Sequence, residues 1–178
     1  MAWVGKLALE EEARLKTGCA SAKLVDLRSL ALAPAVFEAG QFHPVSGRWI
    51  EMVKVDRCGA AVTENLLLTA RRGKQPEVFT LLPGTSQAGP QLQEDAYSHA
   101  TNVASQSVPK GCKDAGVVID SAFDKRVEPD RRDANGAMIG GKWTEIWTAR
   151  LCGKNVRVRM TFSADGKGGT TFTASAVD

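Results

Sequence analysis

The chain has 178 residues, of which 43% are hydrophobic and 24% are charged, and its 23 basic and 20 acidic side chains give a net charge of +3. This composition is that of an ordinary folded protein. The basic residues are interspersed along the chain instead of clustered, so nucleic acid is not predicted as a partner. No apolar run is long enough to cross a membrane, and we predict no transmembrane segment.

The first half of the chain is predicted to form one helix and four strands. Residues 6–16 carry apolar side chains at helical spacing, and Gly18 follows as a stop signal. Four segments rich in Val, Ile, Thr and aromatic residues predict strands over 22–30, 47–58, 61–70 and 77–82.

The second half repeats this order. Residues 90–106 predict a helix with Pro90 in its first turn, where proline is favoured. The strands that follow are predicted over 115–123, 141–152, 154–163 and 169–176.

The phrase GRWIEMVKVDRCG at 47–59 recurs in altered form as GKWTEIWTARLCG at 141–153. The same frame predicts a common core, in which the paired residues are Val25 with Ile119, Trp49 with Trp143, Leu68 with Phe162 and, after a one-residue deletion, Phe79 with Phe172. Such a repeat indicates tandem duplication. We therefore predict an α+β fold of two units, 1–86 and 87–178, each one helix plus an antiparallel sheet of four strands.

Four cysteines lie far apart, without the paired C-x-x-C spacing of a zinc site, so no metal or other cofactor is predicted. Of the three possible disulfide pairings, the repeat favours Cys19 with Cys58 and Cys112 with Cys152, one in each unit. Disulfides persist in oxidising compartments, which predicts a periplasmic or secreted protein whose signal peptide is not part of this sequence. Four reduced, buried cysteines are the alternative.

A carboxylate pair is predicted in each unit if the two cysteines face each other across a hairpin. Asp26 then lies opposite Glu51, and Asp120 lies within one residue of the position opposite Glu145, which a bulge could explain. Facing carboxylates require a cation, a shared proton or a basic neighbour, so the pair could serve as a metal or acid-base site. A shifted register or a structural salt bridge is the other interpretation.

No catalytic motif is present in the sequence. His43 and His99 belong to no recognised motif, and the chain lacks a G-x-S-x-G elbow, an H-E-x-x-H helix and a phosphate-binding loop. The glycines at 166–169 fit a hairpin turn. We predict no catalytic residues, although a dispersed Ser-His-Asp or Cys-His arrangement stays open.

The two units differ between their first and second strands. The tip at 33–45 is apolar and is predicted to expose Phe37 and Phe42 beside His43, whereas the tip at 124–136 is densely charged. Recognition is predicted to map to these tips, because loops on a rigid scaffold commonly carry binding residues. Alternatively, the two phenylalanines fold back as a structural contact.

The pattern W-x-E-x-W followed by CG, DG and GGT-x-F, between Trp143 and Phe172, resembles segments of small uncharacterised exported proteins of Gram-negative bacteria. The resemblance is confined to the C-terminal part of the chain. It implies a periplasmic location and no particular activity.

Three functions are consistent with these patterns. A repeated scaffold with divergent tips favours a non-enzymatic exported binding or scaffold module of the bacterial envelope, with a protein or a small apolar ligand as its partner. A periplasmic inhibitor or immunity-type protein, which inserts the tip at 33–45 into an enzyme's cleft, is the first alternative. A carboxylate- or metal-dependent hydrolase that uses Asp120 and Glu145 is the second.

Overall fold

One helix followed by a four-stranded antiparallel meander occurs twice in the chain. The computed structural model describes residues 2–136 and 138–177. It divides the chain into unit 1, Met1–Gly84, and unit 2, Thr85–Asp178. The predicted α+β class with a duplicated helix-and-sheet unit is confirmed.

Unit 1 begins with helix α1, which spans Ala2–Arg14. Its sheet has the strand order β1-β2-β3-β4. The strands are β1 (Lys23–Val36), β2 (Ser46–Arg57), β3 (Ala60–Arg71) and β4 (Lys74–Thr80).

Unit 2 begins with helix α2, which spans Pro90–Gln106 as predicted, with Pro90 in its first turn. Its sheet has the same meander order, β5-β6-β7-β8. The strands are β5 (Val117–Arg132), β6 (Met138–Leu151), β7 (Lys154–Ala164) and β8 (Thr170–Ala176).

Each helix covers one face of its own sheet through a stripe of buried residues spaced four apart, most of them small. In α1 the buried stripe is Val4, Ala8 and Glu12, and in α2 the corresponding residues are Ala96, Ala100 and Ala104. Small side chains let the helix lie close to the strands. The core of unit 1 therefore forms between α1 and the valines and leucines of β2 and β3.

A two-residue Cys-Gly turn joins the second and third strands of each unit. In unit 1, Cys58 (φ 50°) and Gly59 (φ 92°) connect the paired residues Arg57 and Ala60. Positive φ at both central residues is the turn geometry that matches the right-handed twist of a hairpin. The repeated CG of the sequence marks this turn in both sheets, since Cys152 also has a positive φ.

Both predicted disulfides are confirmed. Cys19 bonds to Cys58 with their Cα atoms 5.7 Å apart, and Cys112 bonds to Cys152 at 6.0 Å. In each unit the bond ties the segment between the helix and the first strand to the Cys-Gly turn. Each disulfide therefore joins two segments of the same unit.

Strands β1 and β5 extend well beyond their predicted ends and enter the segments predicted to be tips. Together with the start of the following strand they form two-stranded projections, which we call arm 1 (residues 30–50) and arm 2 (residues 124–144). Several β-bulges interrupt the pairing in both arms, and these bulges accommodate prolines that a regular strand would exclude.

A glycine within each arm is required by close packing. A Cβ atom on Gly47 (φ 124°) would lie 2.7 Å from the main chain of Pro34 and Ala35. A Cβ on Gly141 (φ 128°) would lie 2.8 Å from Oδ1 of Asp130. The glycine that begins both sequence phrases therefore lets the neighbouring strand of the arm approach closely.

Two of the four predicted core pairs are confirmed. Leu68 and Phe162 are fully buried at equivalent positions on β3 and β7. Trp143 is buried, and its counterpart Trp49 is partly buried against the core of unit 1.

The other two predicted core pairs are wrong. Val25 is exposed, whereas Ile119, at the equivalent bulge, is buried. Phe79 is also exposed, since it pairs with Leu67 on the opposite face of the sheet. Val78 instead takes the position of Phe172, so the deletion assumed in the alignment does not exist.

Helices that could span a bilayer are absent from the part of the chain that the structure describes.

Replacing Cys19 and Cys58 together by serine is expected to reduce the stability of unit 1 by about 3 to 4 kcal/mol, because the bond closes a loop of 39 residues. Amide hydrogen exchange measures this loss unit by unit. The matched control replaces Cys112 and Cys152, which should weaken protection in unit 2 to a similar extent. Equal loss in both units from the first variant alone would contradict one independent disulfide per unit.

Candidate functional site

Arm 1 carries the two most exposed large apolar side chains of unit 1. Phe42 is 97% exposed at the tip and Phe37 is 64% exposed. Leu30, Leu32 and Val36 are also exposed along β1, and the segment 29–37 has no charged residue. Contiguous exposed apolar surface of this kind is typical of interaction sites.

The tip of arm 1 is held in a defined conformation. Val45 N donates a hydrogen bond to Val36 O at 2.8 Å, which closes the turn, and Gln41 N donates to Glu38 O at 3.1 Å. The Glu38 carboxylate pairs with Arg72 in the turn between β3 and β4. These contacts fix the position of the aromatic residues without covering them.

The structure places the predicted binding residues at this tip. Phe37 and Phe42 are exposed, as expected, while His43 is only partly exposed and the adjacent Pro44 is buried. The binding role of all three residues stays a prediction.

Arm 2 has the same backbone arrangement and opposite surface chemistry. It carries Asp124, Lys125, Arg126, Glu128, Asp130, Arg131 and Arg132 on β5. Arg126 pairs with Asp130 at 2.9 Å, and its guanidinium lies 5.5 Å from the ring centroids of Phe123 and Trp143. The aromatic surface at the base of arm 2 is therefore partly covered by a cation.

The predicted carboxylate pair is wrong in unit 1. Asp26 lies opposite Lys54, and the residue opposite Glu51 is Ser29. The bulge at Val25 shifts the register, and Asp26 consequently points to the face of the sheet that Glu51 does not occupy. A hydrogen bond from Leu27 N and the neighbouring Arg28 lower the pKa of Asp26.

The predicted pair is also wrong in unit 2, where Asp120 lies opposite Thr148 and Glu145 lies opposite Phe123. Residues directly opposite each other share a face, so Asp120 and Glu145 lie on different faces of the sheet. The hydrolase alternative loses the acid-base pair on which it depended.

Glu145 is instead a fully buried carboxylate with five hydrogen-bond donors. Oε1 accepts from Gln87 N (2.8 Å), Ala88 N (3.2 Å) and Trp143 Nε1 (2.9 Å). Oε2 accepts from Ser86 Oγ (2.7 Å) and Trp147 Nε1 (2.8 Å). The carboxylate thereby holds the segment that precedes α2 in place.

Glu51 occupies the same position on β2, with fewer donors. Its Oε1 accepts from Trp49 Nε1 at 2.9 Å and its Oε2 accepts from Ser29 Oγ at 2.6 Å. The W-x-E spacing of the sequence repeat thus encodes an indole-to-carboxylate hydrogen bond in both sheets.

A second buried polar cluster lies under α1, where Arg57 joins Glu12 and Glu64. Arg57 Nε donates to both oxygens of Glu12 at 2.7 and 2.8 Å, and Arg57 Nη2 donates to Oε2 of Glu12 at 2.7 Å. Arg57 Nη2 is also 3.4 Å from Oε1 of Glu64. The two glutamates are only 2% and 1% exposed.

The pKa values of the two carboxyl groups of this cluster are shifted in opposite directions. Burial, and next the negative charge of Glu12, raise the pKa of Glu64 to about 8. Burial alone would also raise the pKa of Glu12, but hydrogen bonds from Arg57 and Thr17 and the charge of Arg57 lower it. Oε2 of Glu64 is buried and accepts no hydrogen bond from a described residue, which suits a protonated carboxyl.

Unit 2 has apolar residues at the three equivalent positions. By strand register Leu151 replaces Arg57 and Val158 replaces Glu64, and on the helix stripe Ala104 replaces Glu12. All three are buried. The same scaffold is therefore built once around an ionic cluster and once around a hydrocarbon core.

This cluster was not predicted from the sequence, although the sequence carries a signal for it. Arg57 and Glu64 continue the alternating pattern of the core-facing residues on β2 and β3, such as Val53 and Val55. A charged residue in phase with buried neighbours indicates a buried ion pair.

One group of potential metal ligands, Cys112, Asp114 and Cys152, is explained by covalent structure. Its two sulfur atoms form the disulfide of unit 2, and Asp114 Oδ2 accepts a hydrogen bond from Cys152 N at 2.7 Å. Disulfide sulfur lacks the thiolate that binds a metal. The carboxylate serves to cap the Cys-Gly turn.

No protein-family model, curated protein or solved structure matches the chain.

Glu64→Gln is expected to change how stability depends on pH. Between the ordinary glutamate pKa of 4.5 and about 8, the unfolded chain has released the Glu64 proton and the folded chain still holds it. Rising pH therefore favours unfolding, by at most about 1.4 kcal/mol per pH unit, and the loss is complete above the folded pKa. Hydrogen exchange of unit 1 should show this decline in the natural protein and not in the variant.

The control for that experiment is Glu77→Gln on β4, because Glu77 is exposed. It should follow the pH dependence of the natural protein. Parallel curves for the Glu64→Gln variant and the natural protein would show that Glu64 is ionised in the folded state.

Replacing the ionic cluster by its unit-2 counterpart, with Glu12→Ala, Arg57→Leu and Glu64→Val together, is expected to leave unit 1 folded and at least as stable, because no charge remains to be desolvated. Arg57→Leu alone should cost about 3 to 5 kcal/mol, since it leaves a buried carboxylate without its cation. Denaturant unfolding compares the two variants. A triple variant less stable than the natural protein would show that the cluster is a net stabiliser.

Proposed function

We propose that this protein is a non-enzymatic, exported binding module that engages a partner protein of the bacterial envelope through arm 1. The observation that carries the proposal is the contrast between the arms, which share a backbone design and differ in surface chemistry. Arm 2 is charged along its length, as an exposed strand of a monomeric protein usually is. Arm 1 has five exposed large apolar residues.

The physical design of arm 1 favours binding. Aromatic anchors contribute a large share of the free energy at interfaces, and Phe42 is 97% exposed and Phe37 is 64% exposed. The closed turn and the Glu38–Arg72 ion pair hold them in place before binding, which reduces the entropy lost on association. An apolar cleft on the partner is the complementary surface.

Two disulfides support the exported location, because they are typical of proteins in oxidising compartments. The same proposal therefore includes a periplasmic location. The enzymatic alternative receives no support from the carboxylates on which it was based.

Phe37→Ser combined with Phe42→Ser is expected to abolish partner binding and leave the melting temperature unchanged, because both side chains are exposed. A photo-cross-linking phenylalanine analogue at position 42, introduced in the producing cell, should give one defined protein adduct. The adduct should disappear when Phe37→Ser is added.

The matched control places the same cross-linker at Val127, an exposed apolar residue of arm 2, where no adduct is expected. Equal adducts at both positions, or none at position 42, would contradict the proposal. A melting temperature lowered by several degrees in the serine variant would show that arm 1 is structural.

A further inference from the structure

The charges of the buried cluster under α1 do not balance when both of its glutamates are ionised. Glu12 and Glu64 would then carry two negative charges, and among the described residues Arg57 pairs with them as the cation. The side chains of both glutamates are almost fully buried. Because a buried charge without a partner is costly, the cluster requires one proton while α1 covers it.

The geometry of the cluster assigns this proton to Glu64. Arg57 donates three hydrogen bonds of 2.7 to 2.8 Å to the carboxylate of Glu12, but it lies 3.4 Å from Oε1 of Glu64. Oε2 of Glu64 is buried and has no hydrogen-bond partner among the described residues. Burial and the charge of Glu12 raise the pKa of Glu64 in agreement with this assignment, and Glu11 of α1 adds a smaller effect in the same direction.

The proton-binding group lies in the contact between the helix and the sheet. Glu12 is the last member of the buried stripe on α1, whereas Arg57 is on β2 and Glu64 is on β3. If α1 moves away from the sheet, Glu64 meets water and its pKa returns towards the ordinary value of 4.5. Attachment of the helix and binding of the proton are therefore linked.

We infer that Glu12, Arg57 and Glu64 form a pH-sensitive switch, in which loss of one proton from Glu64 releases α1 from the sheet of unit 1 while the four strands remain paired. The release uncovers the apolar face that α1 shields, which consists of Val53, Val55, Leu66 and Leu68. The switch requires neither Phe37 nor Phe42, and it goes beyond the function proposed above.

The sheet can remain paired because its connections do not involve α1. Main-chain hydrogen bonds join the four strands, and the disulfide between Cys19 and Cys58 fixes the segment before β1 to the turn between β2 and β3. The helix has only 13 residues, and an isolated helix of this length is marginal in water. Released α1 therefore loses its helical hydrogen bonds, and its amide protons exchange with solvent.

Glu64 sets the direction of the pH dependence. Burial acts to raise the pKa of Glu12, but Arg57 lowers it, so Glu12 keeps its charge over the range in which Glu64 titrates. Between pH 4.5 and about 8, the released state has lost the Glu64 proton and the attached state still holds it. The equilibrium constant for release rises with pH over this range, by at most about tenfold per pH unit, and levels off above it.

Hydrogen exchange of the natural protein tests the switch, with each rate corrected for the intrinsic effect of pH. Protection of the Ala8 amide in α1 should fall by up to about tenfold per pH unit until about pH 8, and it should stay below that of Val55 in β2. The matched control is Ala100 in α2, which packs over an apolar cluster and should show no such fall. Equal protection of Ala8 and Val55 at every pH, or protection of Ala8 that does not change with pH, would overturn the inference.

Two variants separate the switch from general stability. Glu64→Gln should remove the pH dependence at Ala8. Glu12→Gln leaves Arg57 to pair with an ionised Glu64, so the fall should level off at a lower pH than in the natural protein. Glu77→Gln, at an exposed glutamate of the same unit, should follow the natural protein. An unchanged levelling-off pH in the Glu12→Gln variant would contradict the switch, and the comparison within the natural protein requires no variant to fold.

Discussion

The covalent link between the Cys-Gly turn and the segment before the first strand is the constraint on which each unit depends. Cys58 is at once the first residue of the turn between β2 and β3 and one half of the disulfide. A single residue therefore fixes both the pairing of the central hairpin and the point at which β1 enters the sheet. With that register set, Trp49 and Glu51 face the helix, and the far ends of β1 and β2 project as an arm.

Buried polar groups help to position the helix in both units, but they do so in different ways. In unit 2 the carboxylate of Glu145 binds the segment that enters α2, so a charge positions the helix. In unit 1 the helix is held at its other end, where Glu12 on α1 pairs with Arg57 on β2. Hydrogen bonds to a buried charge are directional and costly to leave unmade. Each helix is thus aligned by a specific contact in addition to apolar packing.

Much of the fold could be predicted because the same sequence pattern occurs in both units. Repetition of the W-x-E and CG signals identified the duplication, the succession of one helix and four strands in each unit, and the disulfide pairing. What the sequence could not show were the bulges. A bulge at Val25 moved Asp26 to the wrong face for a carboxylate pair, and others let β1 continue past Pro34. Bulges depend on contacts with the neighbouring strand, which have no local signature. The burial of Glu12 was not predicted for a related reason, because its partners are distant in sequence.

The ionic cluster of unit 1 and the hydrocarbon cluster of unit 2 also constrain the history of a duplicated gene. Conversion of one into the other requires three substitutions, and their order is not free. A glutamate can enter an apolar interior first, because it can remain protonated there, whereas an arginine cannot shed its charge. The path from Ala, Leu and Val to Glu12, Arg57 and Glu64 is therefore open when a carboxyl group arrives before the guanidinium. Burial, and next the negative charge of Glu12, still raise the pKa of Glu64 to about 8.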